Sequence, residues 1–338
     1  MRQAIMVAPG TVEIVEAAVP DPGPGQIQIN VKRIGVCGSD IHVWHGKHPF
    51  TSYPVVQGHE YCGVVSKVGF DVDDITEGQL VTALPQEVCG KCVPCQRGNW
   101  HVCDELKVRG FQAPGCAQDY FITEADKVVI LPDSFSFEQG AFIEPLAVAS
   151  HSTGRAGDLT GTHVAVIGAG PIGNFVAQTA RAKGARVLLG DVSPFRLEVG
   201  RECGIPELFN PAEEELATAV KRVFGAQGVD VVFDCAGVQS SLDSAVATVN
   251  KGGTVLIVAV FGEKPSIDMA VLCESELNVV GTMMYHHGDY HEAVERLAAG
   301  ELITAPLDSM HFPFDQYQDA YHFIDEQGAQ SMKVFIDL

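Results

Sequence analysis

The first part of the chain contains short runs in which apolar and polar residues tend to alternate. Runs of this kind, rich in valine and isoleucine, predict β-strands at Val12–Val15, Gln26–Ile34, Gly63–Val68, Gln79–Ala83 and Lys127–Leu131. Glycine and proline separate these runs, as in the segment Pro20–Gly25. We therefore expect residues 1–150 to form an irregular β-rich domain, a small barrel.

A different pattern begins near Gly157, where apolar strands alternate with helical segments. The predicted strands are His163–Ile167, Arg186–Gly190, Val229–Phe233 and Thr254–Val260. The predicted helices are Pro171–Lys183, Pro194–Cys203, Ser240–Val249 and Tyr290–Ala299. This alternation predicts a doubly wound parallel sheet with helices on both faces, an α/β fold. The tail, with a predicted helix at Phe314–Asp325 and a strand at Met332–Ile336, is expected to pack back on the N-terminal domain.

Composition and charge limit the possible partners. A chain of 338 residues is expected to form two domains. Its 22 basic and 43 acidic residues give a formal net charge of −21, which argues against binding to nucleic acid or to anionic lipid. The start, Met1–Val7, lacks a long apolar segment, and no apolar run is long enough to span a membrane. We expect a cytoplasmic protein.

A glycine-rich motif follows the first strand of the alternating region. Its residues are Gly168, Ala169, Gly170, Pro171, Ile172 and Gly173. The first glycine allows a tight turn, the second lets the backbone approach a pyrophosphate, and the third lets the helix pack close to the strand. Asp191, at the end of the next strand, could bond a ribose 2′-hydroxyl and repel a 2′-phosphate, which predicts NAD rather than NADP. Arg196 is the counter-argument, since it could reach a 2′-phosphate or stack on adenine.

Four of the ten cysteines lie close together in one loop. They are Cys89, Cys92, Cys95 and Cys103. Four thiolates fill the tetrahedral shell of zinc and leave no position for a substrate, so this spacing predicts a structural zinc site. Cys62, Cys116, Cys203, Cys235 and Cys273 are interpreted as small buried residues.

A second possible metal site is spread along the chain. Its candidate ligands are Cys37, His59, Glu60 and Glu144. A single histidine or cysteine is more often a core residue than a ligand, and a glutamate is usually a solvated charge. Spacing alone leaves this second site an open question.

The motifs together identify a family. Gly58-His59-Glu60, followed by glycines at Gly63 and Gly69, resembles the zinc signature of the zinc-dependent medium-chain alcohol and polyol dehydrogenases. The order of all the motifs matches that family over essentially the whole chain. The sequence is most similar to the sorbitol, threonine and sugar-acid dehydrogenase branch, which has Glu-Pro where alcohol dehydrogenases have a third cysteine ligand.

The resemblance implies a fold and a domain organisation. It implies a GroES-like β-barrel catalytic domain at 1–150, completed by 287–338, and a Rossmann NAD-binding domain at 151–286. The active site would lie in the cleft between them. Two zinc ions per chain, one catalytic and one structural, and the cofactor NAD are also implied. Homodimers or homotetramers are typical of the family.

The resemblance also implies roles for individual residues. Cys37 and His59 would bind the catalytic zinc, and Glu144 stands where the third ligand is expected. Glu60 would be either a ligand or a nearby carboxylate that exchanges with water. Ser39 resembles the hydroxyl that receives the substrate proton, and His42 resembles the histidine that passes it to solvent.

The substrate is less well defined than the chemistry. Sorbitol dehydrogenases carry an Arg-Tyr pair after the last Rossmann strand, whereas this chain has Met284 and Tyr285. Tyr285 remains a candidate substrate contact, and Lys47, His45 and His48 could pair with a substrate carboxylate or phosphate. The leading hypothesis is oxidation of a secondary hydroxyl in a polyol or sugar acid, a small-molecule substrate. An amino alcohol, or a dehydrogenase scaffold that only binds or senses a ligand, are the alternatives.

Overall fold

The chain divides into two compact units. The structure is a computed structural model that describes residues 1–338. The first unit contains residues 1–144 and 308–338, and the second contains residues 145–307. The chain thus passes between the units after Glu144 and after Leu307, whereas the sequence predicts these passages after residues 150 and 286. The helix predicted at Tyr290–Ala299 lies within the second unit.

The first unit begins with nine strands and three short helices. The strands are β1 (Arg2–Ala8), β2 (Thr11–Glu16), β3 (Gln26–Gly35), β4 (Glu60–Val68), β5 (Leu80–Ala83), β6 (Gln86–Glu87), β7 (Lys107–Val108), β8 (Tyr120–Glu124) and β9 (Val128–Ile130). The helices are α1 (Gly38–Trp44), α2 (Val93–Gln96) and α3 (Phe137–Ala141).

The second unit alternates strands and helices after an entry helix that the sequence did not reveal. That helix is α4 (Ile143–Arg155). The strands are β10 (His163–Ile167), β11 (Arg186–Gly190), β12 (Glu207–Phe209), β13 (Val229–Asp234), β14 (Val249–Ile257) and β15 (Asn278–Gly281). The helices are α5 (Pro171–Ala182), α6 (Pro194–Glu202), α7 (Leu216–Phe224), α8 (Gln239–Thr248), α9 (Met269–Glu274) and α10 (His287–Ala298).

The tail returns to the first unit. It forms β16 (Asp308–Pro313), α11 (Tyr317–Gln327) and β17 (Lys333–Asp337). β17 pairs antiparallel with β3, with Phe335 opposite Gly35, and β16 pairs parallel with β17. The tail therefore supplies two strands of a seven-stranded sheet whose other members are β3, β4, β5, β8 and β9.

The six strands of the second unit form one parallel sheet in the order β12-β11-β10-β13-β14-β15. This is the Rossmann order, in which the direction of winding reverses between β10 and β13. Ligands of such sheets bind at the carboxyl ends of the strands, next to the reversal. The glycine-rich motif lies there, between β10 and α5.

Each unit has its own apolar core. In the first, side chains from β3 and β4, such as Ile27, Ile29 and Val65, pack with Phe314 and Tyr321 from the tail. In the second, strand residues such as Ala165 and Val232 pack against Leu242 of α8 and Val220 of α7. No helix has the length and apolar character needed to cross a lipid bilayer.

Candidate active site and cofactor-binding site

The first candidate metal ligand opens helix α1. Cys37 is the N-terminal cap of the helix, and its Sγ lies 3.5 Å from the Ser39 backbone nitrogen. The Cys37 N–H donates to Asp40 Oδ2 at 3.0 Å, which closes the capping arrangement. This capping fixes the position of the Cys37 sulfur at the start of the helix.

His59 and Glu60 come to the same place from the start of β4. Glu60 pairs with Gly35 of β3, two residues before Cys37. One donor atom from each of Cys37, His59 and Glu60 lies within 4.8 Å of the other two. Both β4 side chains are buried, His59 at 5% exposure and Glu60 at 2%. A thiolate, an imidazole and a carboxylate are ligands that zinc accepts.

The charges around this cluster suit a cation. His59 Nδ1 is buried without a hydrogen-bond partner, and the nearest carboxylate oxygen, Asp40 Oδ1, is 3.7 Å away. Burial lowers the pKa of His59, but Asp40 and Cys37 raise it well above its ordinary value. The buried, anionic surroundings and the unpartnered nitrogen show that these residues fit a metal ion.

One buried lysine partly balances the cluster. Lys333 Nζ, on β17, lies 2.5 Å from Glu60 Oε2 and donates to the Val36 carbonyl at 3.2 Å. Burial lowers the pKa of Lys333, whereas Glu60 and Cys37 raise it, and the net direction is upward. Glu60 is therefore held between a cation and the other donor atoms.

Glu144 is close to the cluster without being one of its three converging donors. It is 5% exposed and lies in the first turn of α4. Its charge raises the pKa of both His59 and Lys333. The prediction that Glu144 is the third ligand, and Glu60 a ligand or its exchanging neighbour, stays a prediction.

Ser39 and His42 lie on α1, three residues apart, so they share one face of the helix. Ser39 is half-buried and His42 is exposed. His48, just beyond the helix, has its pKa lowered by burial and by its neighbours His42 and His59. The ring of Phe111 stacks on His48 at 4.7 Å and contacts His59 at 5.0 Å.

Lys47 and His45 differ in whether their side chains are free to pair with a substrate anion. His45 Nε2 is 3.0 Å from Asp325 Oδ1, so it is paired within the unit. Lys47 is exposed, and its ammonium makes no ion pair. Lys47 therefore remains the available cation on the loop after α1.

The four clustered cysteines have the geometry of a thiolate site. Their sulfurs all lie within 4.8 Å of one another, with Cys89–Cys103 at 3.5 Å and Cys92–Cys103 at 3.8 Å. Sulfurs placed about 2.3 Å from a zinc at the corners of a tetrahedron are about 3.8 Å apart. Backbone N–H groups of Cys89, Cys92 and Glu105 point at sulfur atoms. These residues, none of them in a disulfide, fit a structural zinc ion.

The glycines of the dinucleotide motif are required by close packing. Gly168 has φ +98°, and a Cβ on it would lie 2.9 Å from the Ala236 nitrogen. A Cβ on Gly173 would lie 1.7 Å from the Gly168 carbonyl oxygen. Gly170 caps α5 and Pro171 is its first residue, with Ile172 next, so the helix N-terminus is free to face a phosphate.

Asp191 lies beside this motif at the end of β11. Its Oδ2 accepts the Ala169 N–H at 2.7 Å, and its Oδ1 accepts the Ser193 N–H at 2.8 Å. Arg196 Nη1 is 3.9 Å from Asp191 Oδ2, so it pairs loosely with the carboxylate. The two residues predicted to discriminate between NAD and NADP are thus neighbours.

A cavity of about 710 Å³ joins these elements within the second unit. Its lining includes Gly168 and Gly170 of the motif, Asp191 and Arg196. The loop after β13, residues 235–238, contributes Cys235, Ala236 and Val238 to the same lining. This is the end of the sheet at which a dinucleotide binds in this fold. The residues fit the cofactor.

Other predicted residues have different surroundings. Tyr285 is fully buried and packs edge-to-face on Tyr290 at 5.2 Å, and Met284 has φ +50°. Its role as a substrate contact stays a prediction. The interpretation of Cys273 as a buried residue was wrong: it lies exposed on α9, a one-and-a-half-turn helix at the surface with no buried residue.

Sequence reasoning missed two residues that contact the metal cluster, Asp40 and Lys333. Asp40 could have been found, because Cys37-x-x-Asp40 is a capping-box pattern at the start of a helix. Lys333 has no local signal. It joins Glu60 only because β17 adds to the sheet next to β3, which the sequence around Lys333 does not specify.

Family models match both parts of the chain. Residues 23–133 match the alcohol dehydrogenase GroES-like domain, and residues 171–299 match the zinc-binding dehydrogenase family. The first range contains Cys37, His59, Glu60 and the four-cysteine loop, and the second contains the last three residues of the dinucleotide motif, Pro171, Ile172 and Gly173.

Individual relatives agree with the models. The chain is 33% identical to the 2-dehydro-3-deoxy-L-galactonate 5-dehydrogenase of Pseudoalteromonas atlantica, over 96% of this chain and 95% of that enzyme. It is also 33% identical to the L-threonine 3-dehydrogenase of Pyrococcus abyssi, over 96% and 94%. A protein of Sinorhizobium meliloti described as a zinc-binding dehydrogenase, solved with NADP, superimposes with a TM-score of 0.93 at 30% identity and covers 100% of this chain and 99% of that one.

The two domains, the converging donors and these relatives are consistent with one another. Dehydrogenases of sugar acids, polyols and threonine all align along nearly the whole chain. The family's cofactors are zinc and a nicotinamide dinucleotide, and residues that fit each are present. This chain therefore belongs to the zinc-dependent medium-chain alcohol and polyol dehydrogenases, with a GroES-like domain and a Rossmann-type dinucleotide-binding domain.

Proposed function

We propose that the protein oxidises a secondary hydroxyl of a sugar acid or related polyol and transfers the hydride to NAD. The convergence of Cys37, His59 and Glu60 at the start of α1 carries this proposal. A buried site with three protein donors leaves a coordination position for a substrate oxygen, as catalytic zinc sites require. The four-cysteine site has no such position and has a structural role.

Each cluster residue has a proposed task at the metal. Cys37 and His59 hold the zinc, with Glu60 or Glu144 as the third protein ligand. When bound, zinc lowers the pKa of a coordinated hydroxyl toward neutrality, so that the alcohol can lose its proton near pH 7. Lys333 and Asp40 hold Glu60 and His59 in place from outside the donor set.

Ser39 and His42 carry the released proton. Ser39, half-buried in the first turn of α1, accepts the proton at its hydroxyl oxygen and releases its own hydroxyl proton toward His42 in the same step. His42, one turn later on the same face and exposed, passes it to solvent. A hydroxyl and an imidazole in this order can relay a proton between a dry site and water.

The cofactor is NAD rather than NADP. The glycines Gly168, Gly170 and Gly173 let the pyrophosphate approach the backbone at the N-terminus of α5. Asp191 accepts a ribose hydroxyl, and its negative charge repels a 2′-phosphate. When bound, the oxidised nicotinamide ring accepts the hydride. Arg196 Nη1 lies 3.9 Å from Asp191 Oδ2, and we expect it to stay beside that carboxylate rather than to bind a 2′-phosphate.

The proposed substrate class, sugar acids, rests on the relatives and on the exposed ammonium of Lys47. Related enzymes act on sugar acids, as the name of the Pseudoalteromonas enzyme states. Lys47, exposed and without an ion pair, can bind the carboxylate of such an acid. Tyr285, which the resemblance also suggests as a substrate contact, stays a prediction.

We also propose that the protein forms homodimers or homotetramers in the cytoplasm. β15 is an edge strand of the parallel sheet, and Met283, two residues after it, is an exposed apolar residue, as are Val260 and Met269 elsewhere in this unit. An uncovered edge with apolar neighbours favours pairing with a second copy. Ten cysteines without a disulfide suit a reducing compartment.

A substrate screen tests the proposal. Purified protein loaded with zinc would be assayed for NAD reduction with aldonates, neutral polyols, sugar phosphates and threonine. We expect the highest kcat/KM with an aldonate and none after Cys37→Ser, which should still bind NADH. Preference for threonine would replace the substrate class, and no turnover of any secondary alcohol would overturn the proposed activity.

A further inference from the structure

A fully buried carboxylate ends the strand next to the dinucleotide motif. Asp234, the last residue of β13, has 0% exposure. Its Oδ1 accepts the backbone N–H groups of Ala236 and Gly237, each at 3.0 Å, and the Ser241 hydroxyl at 2.9 Å. No cation is among its partners, although an unpaired charge is costly to bury. Hydrogen bonds, with no ion pair, therefore stabilise this buried carboxylate.

Asp234 joins three segments at the carboxyl edge of the sheet. Its side chain bonds to the loop after β13 and to α8, through Ser241. Its backbone carbonyl accepts the N–H groups of Val258 and Ala259 after β14, both at 3.0 Å. Asp234 thus holds the backbone after β13 through its side chain and the backbone after β14 through its carbonyl.

The loop that Asp234 holds has little room to move. Gly237 has φ +69°, and a Cβ there would lie 2.8 Å from the Ala259 Cβ. On the other side, a Cβ on Gly168 would lie 2.9 Å from both the Ala236 nitrogen and the Cys235 carbonyl carbon. The loop after β13 therefore supports the turn of the glycine-rich motif directly.

The same loop forms a wall of the cavity of about 710 Å³. Cys235, Ala236 and Val238 of the loop line it together with Ser241 of α8 and with Asp191. We propose that Asp234 is a positioning residue for dinucleotide binding: it fixes the loop after β13 so that this wall and the Gly168 turn are formed before the cofactor arrives. This inference rests on the proposed use of NAD. It assigns a role to a side chain that is too buried to touch the cofactor.

Preorganisation explains why a charged group is kept in this position. A loop that is already ordered loses less conformational entropy when its ligand binds. An Asp234 carboxylate can accept three donors at one oxygen, which an alanine cannot do. Asparagine can keep the essential pattern, because its amide oxygen can replace Oδ1 while its nitrogen takes the place of Oδ2.

The test compares cofactor affinity with stability. NADH binding to zinc-loaded protein would be titrated by fluorescence, without substrate, for the wild type, Asp234→Ala and Asp234→Asn. We expect Asp234→Ala to raise the Kd for NADH by about tenfold, equivalent to about 1.4 kcal/mol. Asp234→Asn should stay within about threefold of the wild type. In kinetics, the KM for NAD should rise with Asp234→Ala while the KM for the alcohol does not.

Asp230 offers a matched control on the same strand. It lies near the opposite end of β13, where its Oδ2 accepts the His163 N–H at 2.9 Å. Asp230→Asn should change thermal stability without changing the Kd for NADH. If Asp234→Ala lowers the melting temperature but leaves that Kd unchanged, Asp234 has only a structural role and the inference is wrong.

A second variant, Ser241→Ala, keeps the inference testable if Asp234→Ala does not fold. Ser241→Ala removes the link between Asp234 and α8 and keeps the carboxylate, so a smaller rise in the Kd for NADH is expected, and an unchanged Kd would count against the inference. If the wild type itself binds no NADH, the proposed NAD dependence is wrong. If the wild type binds NADH and both variants bind it equally well, only the role of Asp234 is wrong.

Discussion

Asp191 connects cofactor choice to a single carboxylate. Because it would repel a 2′-phosphate, Asp191→Ala should lower the ratio of kcat/KM for NAD to that for NADP by about tenfold or more. Both oxygens also accept backbone N–H groups of Ala169 and Ser193, so affinity for NAD itself should fall. Steady-state kinetics with both cofactors gives the ratio. A ratio equal to that of the wild type would show that another residue selects the cofactor.

The Glu60–Lys333 pair shows what a buried charge requires. The side chains of Glu60 and Lys333 are 2% and 4% exposed, so removing the lysine would leave an uncompensated buried carboxylate. We expect Lys333→Met to lower the free energy of unfolding by about 3–5 kcal/mol in protein freed of zinc, where no metal ion compensates Glu60, measured by urea denaturation. The double variant with Glu60→Gln should recover much of that loss. A single variant as stable as the wild type would show that Glu60 is not charged there.

At the scale of elements, the four-cysteine loop is a segment with little core of its own. Cys89, Cys92 and Cys95 are only partly buried, and α2 has no buried residue. We therefore expect Cys103→Ser to release one zinc per chain and to expose residues 86–107 to proteolysis. Metal analysis and limited proteolysis measure both effects. Cys273→Ser, which changes an exposed cysteine outside any cluster, is the control and should retain two zinc ions.

The pairing of β16 with β17 contains a histidine that titrates. Burial lowers the pKa of His311, but Asp308, 2.8 Å from Nε2, and Asp337, 3.3 Å from Nδ1, raise it above its ordinary value. Arg33 and Glu138 face the same group. A raised folded-state pKa stabilises the fold below the unfolded value of about 6.5, and the contribution disappears as the pH rises through the folded value.

His311→Gln should therefore destabilise the protein more in mild acid than in base. We expect a loss of about 0.5–1 kcal/mol near about pH 5.5 and a smaller one near about pH 9, because solvent screens a partly exposed pair. Urea denaturation at the two pH values gives the difference. His322→Gln, on α11, makes no ion pair and is the control. Equal losses at both pH values would contradict a protonated His311.

Sequence patterns predicted some elements closely and failed at others for identifiable reasons. β10 and β11 have the predicted bounds, and α5 ends one residue before the predicted end. α4 was missed because it is buried on nearly all sides and so lacks an amphipathic period. β14 begins at Val249 rather than Thr254, because Gly252 and Gly253 conceal its first half. The period of α7 was present, with Leu216, Ala219, Val220 and Val223 buried, and could have been used.

Some of the candidate sites could be predicted from sequence spacing, and others depend on contacts that the fold creates. The glycine motif and the four-cysteine loop are local in sequence, so spacing alone could predict both. The cluster of Cys37, His59 and Glu60 depends on the pairing of β3 with β4, which only the resemblance anticipated. Lys333 acts through a contact with Glu60, which is distant in sequence, and its own neighbours carry no sign of it. The side-chain partners of Asp234 are local, at Ala236, Gly237 and Ser241, so an aspartate at the end of a strand was a signal that could have been used.

At the scale of the whole molecule, the acidity of the chain opposes its proposed substrate. A net charge of −21 repels an aldonate at long range, whereas Lys47 attracts it at short range. Salt screens the long-range term, since the Debye length falls from about 30 Å at about 0.01 M to about 8 Å at about 0.15 M. The KM for an aldonate should therefore fall as salt is added between these limits.

A neutral polyol separates this effect from those of salt on NAD and on the protein. The KM for the polyol should be nearly independent of salt over the same range. The polyol carries no charge, so neither the net charge of the protein nor the charge of Lys47 acts on it. Lys47→Gln should raise the KM for the aldonate by about three- to tenfold and leave the KM for the polyol unchanged. Its aldonate KM should also respond more steeply to salt, because the repulsion then acts alone. An aldonate KM of the wild type that rises with added salt would contradict this prediction. Local positive charge would then outweigh the net charge of −21 at the active site.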